Sequence, residues 1–267
     1  MGLFTPDDTG YDESVRMTGL NRYKQLLSFH AGSWVLLNAV TVLGAVPLAA
    51  GIAWSIACSS SLVMLAAGLL GGAVFGPFWA GLHDSLQRGF RDADGGWWAN
   101  YRKSWKQNWK GSLIPGALMG LAYGILIFMV YILIERGSGI SLGTLALFSF
   151  SAIAVTAFNT LYWPQLVLFD LPPLDRMRNL VLFSAKYLWK VLGASILQLG
   201  WMLLMILFMP FSLLVIPFLG FWYIVFVSEF MLYDPLNEEL HIEELFYPDR
   251  VTEEADEEEE DGDDGNE

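Results

Sequence analysis

Six stretches of the chain contain no Asp, Glu, Lys or Arg and are each long enough to cross a bilayer: residues 33–54, 61–82, 112–134, 144–168, 191–209 and 211–228. A helix needs roughly 20 apolar residues to cross a hydrocarbon core of about 30 Å. Lipid offers no hydrogen bonds, so such a stretch must satisfy its own backbone as a helix. The pattern therefore predicts an all-α membrane bundle of six transmembrane helices. A polar segment, 1–19, precedes the transmembrane domain, 20–235, and a C-terminal segment, 236–267, follows it. The last two spans rest on a further argument. Residues 191–228 run without a charge, and one helix of that length would extend about 57 Å, too far for an ordinary crossing. Pro210, with Ser212 behind it, supplies a break, so a hairpin is expected there; a single steeply tilted helix is the alternative.

Basic residues assign an orientation. Arg16, Arg22 and Lys24 precede the first span, and six bases from Arg88 to Lys110 separate the second from the third. Arg176, Arg178, Lys186 and Lys190 separate the fourth from the fifth, and Arg250 follows the sixth. The opposite side holds only Arg136, a division of fourteen against one. By the positive-inside rule both termini are expected in the cytoplasm of a cell whose plasma membrane the chain crosses repeatedly. Residues 28–32, 108–112 and 188–192 are spaced by 80 positions, each where a polar-apolar segment enters a span. Three units, each an interfacial helix followed by a helical hairpin, are one reading of that spacing.

Composition changes the picture in two places. The chain is 54% hydrophobic and only 16% charged, against about 25% charged in soluble domains. Its net charge of −13 belongs to the tail, because residues 252–267 carry eleven acids and no base. Such a tail is too charged to fold alone. The single cysteine, Cys58, excludes an intrachain disulfide.

Within this frame four groups of residues stand out. Trp98, Tyr101, Trp105 and Trp109 recur every three or four positions and share a helix face, with Arg102, Lys103, Lys106 and Lys110 around it. A basic helix with an aromatic face is expected in the membrane interface, as an anchor or as a partner-docking surface. Gly68, Gly72 and Gly76 in the second span, and Gly116, Gly120 and Gly124 in the third, form four-residue ladders that let helices approach closely. They predict packing of these two helices on each other, or on a second copy of the chain. Thr156, Asn159, Thr160, Trp163 and Gln165 make the fourth span the most polar, either as a substrate site or as interhelical glue. Prolines interrupt the spans at positions 47, 77, 115, 164 and 217, as in many transporters, although membrane helices tolerate proline widely. His83-Asp84 and His241 with Glu243 and Glu244 are the places where histidine adjoins acid. No HExxH motif, nucleophile elbow or phosphate loop is present. The expectation is a non-enzyme with no catalytic residues, metal or cofactor, and with no proton relay at mid-membrane.

Two segments carry a family resemblance. Residues 101–110 (YRKSWKQNWK), and residues 163–171 (WPQLVLFDL) with Asn179 after them, are similar to stretches of the YesL-like family of small prokaryotic membrane proteins. The similarity runs from about Leu20 to Asp234. That family has no assigned molecular activity, and its members are often associated with carbohydrate utilisation. The resemblance implies a part in, or accessory to, a transport system, with the bilayer and a transporter permease as partners and no nucleic acid. A self-sufficient transporter or small-molecule binder using the fourth span is the alternative.

Overall fold

The computed structural model describes residues 17–93, 95–137 and 141–246. Most of the N-terminal segment and the whole acidic tail lie outside these. Among the described residues the chain is entirely helical, with nine helices and no strand: α1 (Gly19–Ala57), α2 (Ser61–Phe90), α3 (Trp97–Arg136), α4 (Leu142–Leu168), α5 (Pro173–Lys186), α6 (Leu188–Leu207), α7 (Ser212–Leu219), α8 (Trp222–Leu240) and α9 (Ile242–Phe246). Local chemistry sets several ends. Ser60 and Ser141 accept from the backbone N–H three residues on and start α2 and α4. Pro172 and Pro173 open α5, and His241, left-handed at φ 50°, closes α8. Five helices are each long and apolar enough to cross a membrane, and the bent pair α7–α8 makes a sixth candidate. The chain is a multi-pass membrane protein.

The helices overshoot the apolar runs. α1 and α3, of 39 and 40 residues, extend about 58 and 60 Å, roughly twice a hydrocarbon core. Most of the overshoot of α1, α2, α3 and α8 falls at one end of the bundle, where most of the bases also lie; only residues 55–57 of α1 and 135–136 of α3 overshoot at the other. α8 runs straight across position 235, where the sequence placed the end of the transmembrane domain, and α9 follows it, burying Ile242.

Three expectations are corrected. The aromatic-basic segment does not lie in the membrane plane as a separate helix. It is the first third of α3, which continues past Pro115 as one helix, so it projects along the helix axis. Its inward face packs on α2, where a Cβ added to Gly81 would strike the Tyr101 ring and where Phe78 meets Trp105 edge-on. Second, of the three units only the last has an entry helix, α5, separated from its span; the break is at Tyr187. Third, Pro210 does sit in the break after α6, but the last span is not one helix. It bends by 50° between α7 and α8.

The most extensive helix interface joins α2 to α3. Gly68, Gly72 and Gly76 face Gly116 and Gly120. A Cβ on Gly120 would come 2.5 Å from the Cα of Gly72, and one on Gly116 would come 2.6 Å from the Cα of Gly76. These glycines let one backbone touch the other. Gly124 is looser, with the Met64 sulfur as its nearest neighbour at 3.3 Å.

Candidate functional site

Trp79, His83 and Gln87 follow one another at four-residue spacing and form a buried stripe on α2. Glu229 on α8 reaches this stripe. His83 Nδ1 contacts Glu229 Oε1, and Gln87 Nε2 donates to Glu229 Oε2 at 3.0 Å. His83 and Glu229 are each 1% exposed. Trp163 of α4 stacks on the imidazole at 6.1 Å, and Trp79 meets it edge-on at 5.1 Å. A carboxylate this deep is costly unless it is paired and hydrogen-bonded; His83 and Gln87 supply both. With Nδ1 committed to Glu229, the imidazole ring is fixed and only Nε2 is left to meet anything else. That atom has no partner, nor do the buried Trp79 Nε1, Gln87 Oε1 and Ser228 Oγ. These four unmet polar atoms, on two facing helices, make the surroundings of the His83–Glu229 pair a polar centre in an otherwise apolar core.

The break between α7 and α8 lies against this centre, because Phe221 packs edge-on to Trp79 at 5.5 Å. Backbone groups freed by a bend must find partners when no water is near, and Asn38 of α1 supplies them. Its Nδ2 donates to the carbonyls of Ile216 and Pro217, both at 2.8 Å, and its Oδ1 accepts from the N–H groups of Phe221 and Trp222 at 2.8 and 3.1 Å. Trp201 Nε1 donates to the Gly220 carbonyl at 3.0 Å. One buried side chain thus meets four backbone groups and holds the bend.

The polar residues of the fourth span are distributed between helices and do not converge on one pocket. Thr160 accepts from Gln198 of α6 at 2.8 Å, and Thr156 accepts from Tyr123 of α3 at 3.5 Å. Asn159 accepts from Trp163 Nε1 at 2.8 Å within α4. Gln165 donates to the Leu161 carbonyl, while its Oε1 has no partner. Trp163 alone of this group reaches the polar centre.

The predicted face of α3 divides in two. Tyr101 is buried and Trp105 half-buried against α2, whereas Trp98 and Trp109 are exposed, and so are Arg102, Lys103, Lys106 and Lys110. Lys110 lies 5.6 Å from the centre of the Trp109 ring. The result is a rigid helical surface of two tryptophans and four bases, anchored from behind.

Gln87, Glu229, Ser228 and Trp79 were not among the residues picked from the sequence. Glu229 follows directly on the last charge-free stretch, 211–228, and was not singled out. Its signal was the helical period: Val225, Glu229, Leu232 and Leu236 share one buried face of α8. The chain matches no protein-family model, no curated protein and no solved structure, so its own residues carry the functional assignment.

Proposed function

We propose that the chain is a non-enzymatic component of a membrane transport system in a prokaryotic plasma membrane, with both termini in the cytoplasm, in line with what the YesL-like resemblance implies. The observation that carries this reading is the exposed surface of Trp98, Arg102, Lys103, Lys106, Trp109 and Lys110 on the projecting part of α3. Aromatic and basic groups held on a stiff helix lose little entropy on association and suit a partner-docking face. A permease would be that partner. Extraction in mild detergent through an N-terminal tag tests it. A permease or binding protein should travel with the chain and be lost when Trp98 and Trp109 become Ala, with thermal stability unchanged. Recovery of the chain alone, even after crosslinking, counts against docking.

The second reading is a self-sufficient carrier. The bend between α7 and α8 beside the His83–Glu229 pair supports it, since broken helices and buried ionisable residues accompany substrate paths in transporters. It expects saturable uptake into liposomes, abolished by Glu229→Gln and little changed by the Trp98 and Trp109 substitutions.

A further inference from the structure

The last described residue, Phe246, ends α9 with its ring under the Arg91 guanidinium, 4.0 Å from the ring centre. Arg91 caps α2, and α3 begins six residues later at Trp97. The chain beyond Phe246 therefore departs from the α2–α3 corner, at the outer end of the basic surface. After Asp249 and Arg250, its dense acidic run begins at Glu253, seven positions on, and holds eleven acids by Glu267. Seven extended residues span about 23 Å, whereas Arg102 and Lys110 are separated by about 12 Å along α3. Every base of the face is within reach.

The face is charged in one sense only. No Asp or Glu occurs from Trp97 to Ile134. Among the described residues the ion pairs at this end involve other groups: Arg22 with Asp92, Arg88 with Asp84, Lys186 with Glu239 and His241 with Glu244. We infer that the acidic tail, residues 252–267, docks on Arg102, Lys103, Lys106 and Lys110 of its own chain and competes with whatever else uses that face. The consequence for partner docking rests on the function proposed above; the tail contact itself does not.

Anionic lipid is the rival occupant, and geometry disfavours it. The basic part of α3 continues the axis of its span, so Arg102 stands about 12 Å beyond Lys110. That exceeds the Debye length of about 8 Å at physiological salt. Lipid charge would reach the inner bases and leave the outer ones. A tethered acidic segment reaches all four, and its tether supplies an effective concentration of about millimolar. Each exposed pair is weak alone, so the contact is multivalent and sensitive to salt.

The test uses the full chain in nanodiscs of phosphatidylcholine. Cys58 is replaced by Ser, and spin labels are attached through Gln107→Cys on α3 and Asn266→Cys in the tail, neither of which alters charge. At low salt the label-to-label distribution should be short and narrow. It should lengthen and broaden in molar salt, and equally when Arg102, Lys103, Lys106 and Lys110 are all replaced by Gln. A broad distribution insensitive to both changes overturns the inference. So does a distribution that the four-Gln variant leaves short, since the tail would then be held elsewhere. If nanodiscs containing phosphatidylglycerol abolish the short distance at low salt, lipid is the occupant of the face and the inference also falls. No permease is present, so these outcomes are independent of partner docking.

Discussion

The two ends of the bundle are held together by different means. At the basic end α2 is almost wholly buried: from Trp79 to Phe90 only Ser85 and Arg88 are even half-exposed. Its neighbours there are the rings of Trp34, Tyr101, Trp163 and Phe226, with the His83–Glu229 pair among them. Earlier in the same helix Leu62, Leu65, Leu69, Leu70 and Val74 point away from the protein, and the inward face is glycine. At the basic end large rings fill the helix interfaces around a hydrogen-bonded polar pair. Along the glycine ladder lipid tails supply no hydrophobic drive between helices, and close backbone contact takes its place. The basic end is thus an aromatic core with a polar centre, and the far end is a seam defined by shape.

The largest effect expected from this contrast is at Glu229. Glu229→Ala removes one member of a buried pair, leaves Gln87 Nε2 without an acceptor and opens a hole in the core. A loss of about 3–5 kcal/mol is expected. Glu229→Gln keeps the shape and should cost less. Detergent-to-SDS unfolding of both variants measures the difference. Equal, small losses would mean that the pair contributes little and that the aromatic rings hold this end unaided.

The seam offers a cleaner comparison. Gly120→Ala places a methyl group 2.5 Å from the Gly72 Cα, where the neighbour is backbone and cannot rotate away. Overpacking of this kind costs about 1–3 kcal/mol. Gly200 of α6 has nothing within 4 Å of an added Cβ, and Gly200→Ala should be neutral or slightly stabilising by helix propensity. If the two substitutions behave alike under the same unfolding assay, the glycine ladder is not what sets the α2–α3 distance.

Legibility in the sequence divides along the same line. The seam was readable because its signal is local: a glycine every fourth position in each of two neighbouring spans. The helical class and the break at Pro210 were readable for the same reason. The polar centre was not, because its members come from α2, α4 and α8, with His83 and Glu229 separated by 146 positions. His83 was noted beside Asp84, yet Asp84 turns to Arg88 at 2.8 Å and His83 to the distant Glu229. Asn38 shows the other limit. Its presence in an apolar span was plain, but four backbone partners on α7 and α8 depend on a bend whose place no periodicity marks. The polar residues of α4 were found, and tertiary contacts decided that Thr156 and Thr160 join helices.

The smallest effect expected is at the rim of the basic end, where water returns. Lys186 on α5 pairs with Glu239 near the end of α8, beyond the apolar part of that helix. The hydrogen bond from Lys186 holds the Glu239 carboxyl below its ordinary value, and the same bond raises the Lys186 ammonium. The signs fix the pH window. Stabilisation from Glu239 is present above its unfolded value of about 4.5 and is lost as pH falls through the lower folded one. Stabilisation from Lys186 is present below its unfolded value of about 10.5 and is lost as pH rises through the higher folded one. Both side chains are solvent-accessible, so water and salt screen the pair heavily. Thermal stability should therefore show a shallow plateau between these limits, with shoulders that Lys186→Gln flattens at both ends. Glu229→Gln should leave those shoulders in place, because the inner pair and the rim pair occupy different surroundings. A Lys186→Gln variant with an unchanged acid shoulder would detach the rim from this account and leave the contrast between core and seam to stand alone.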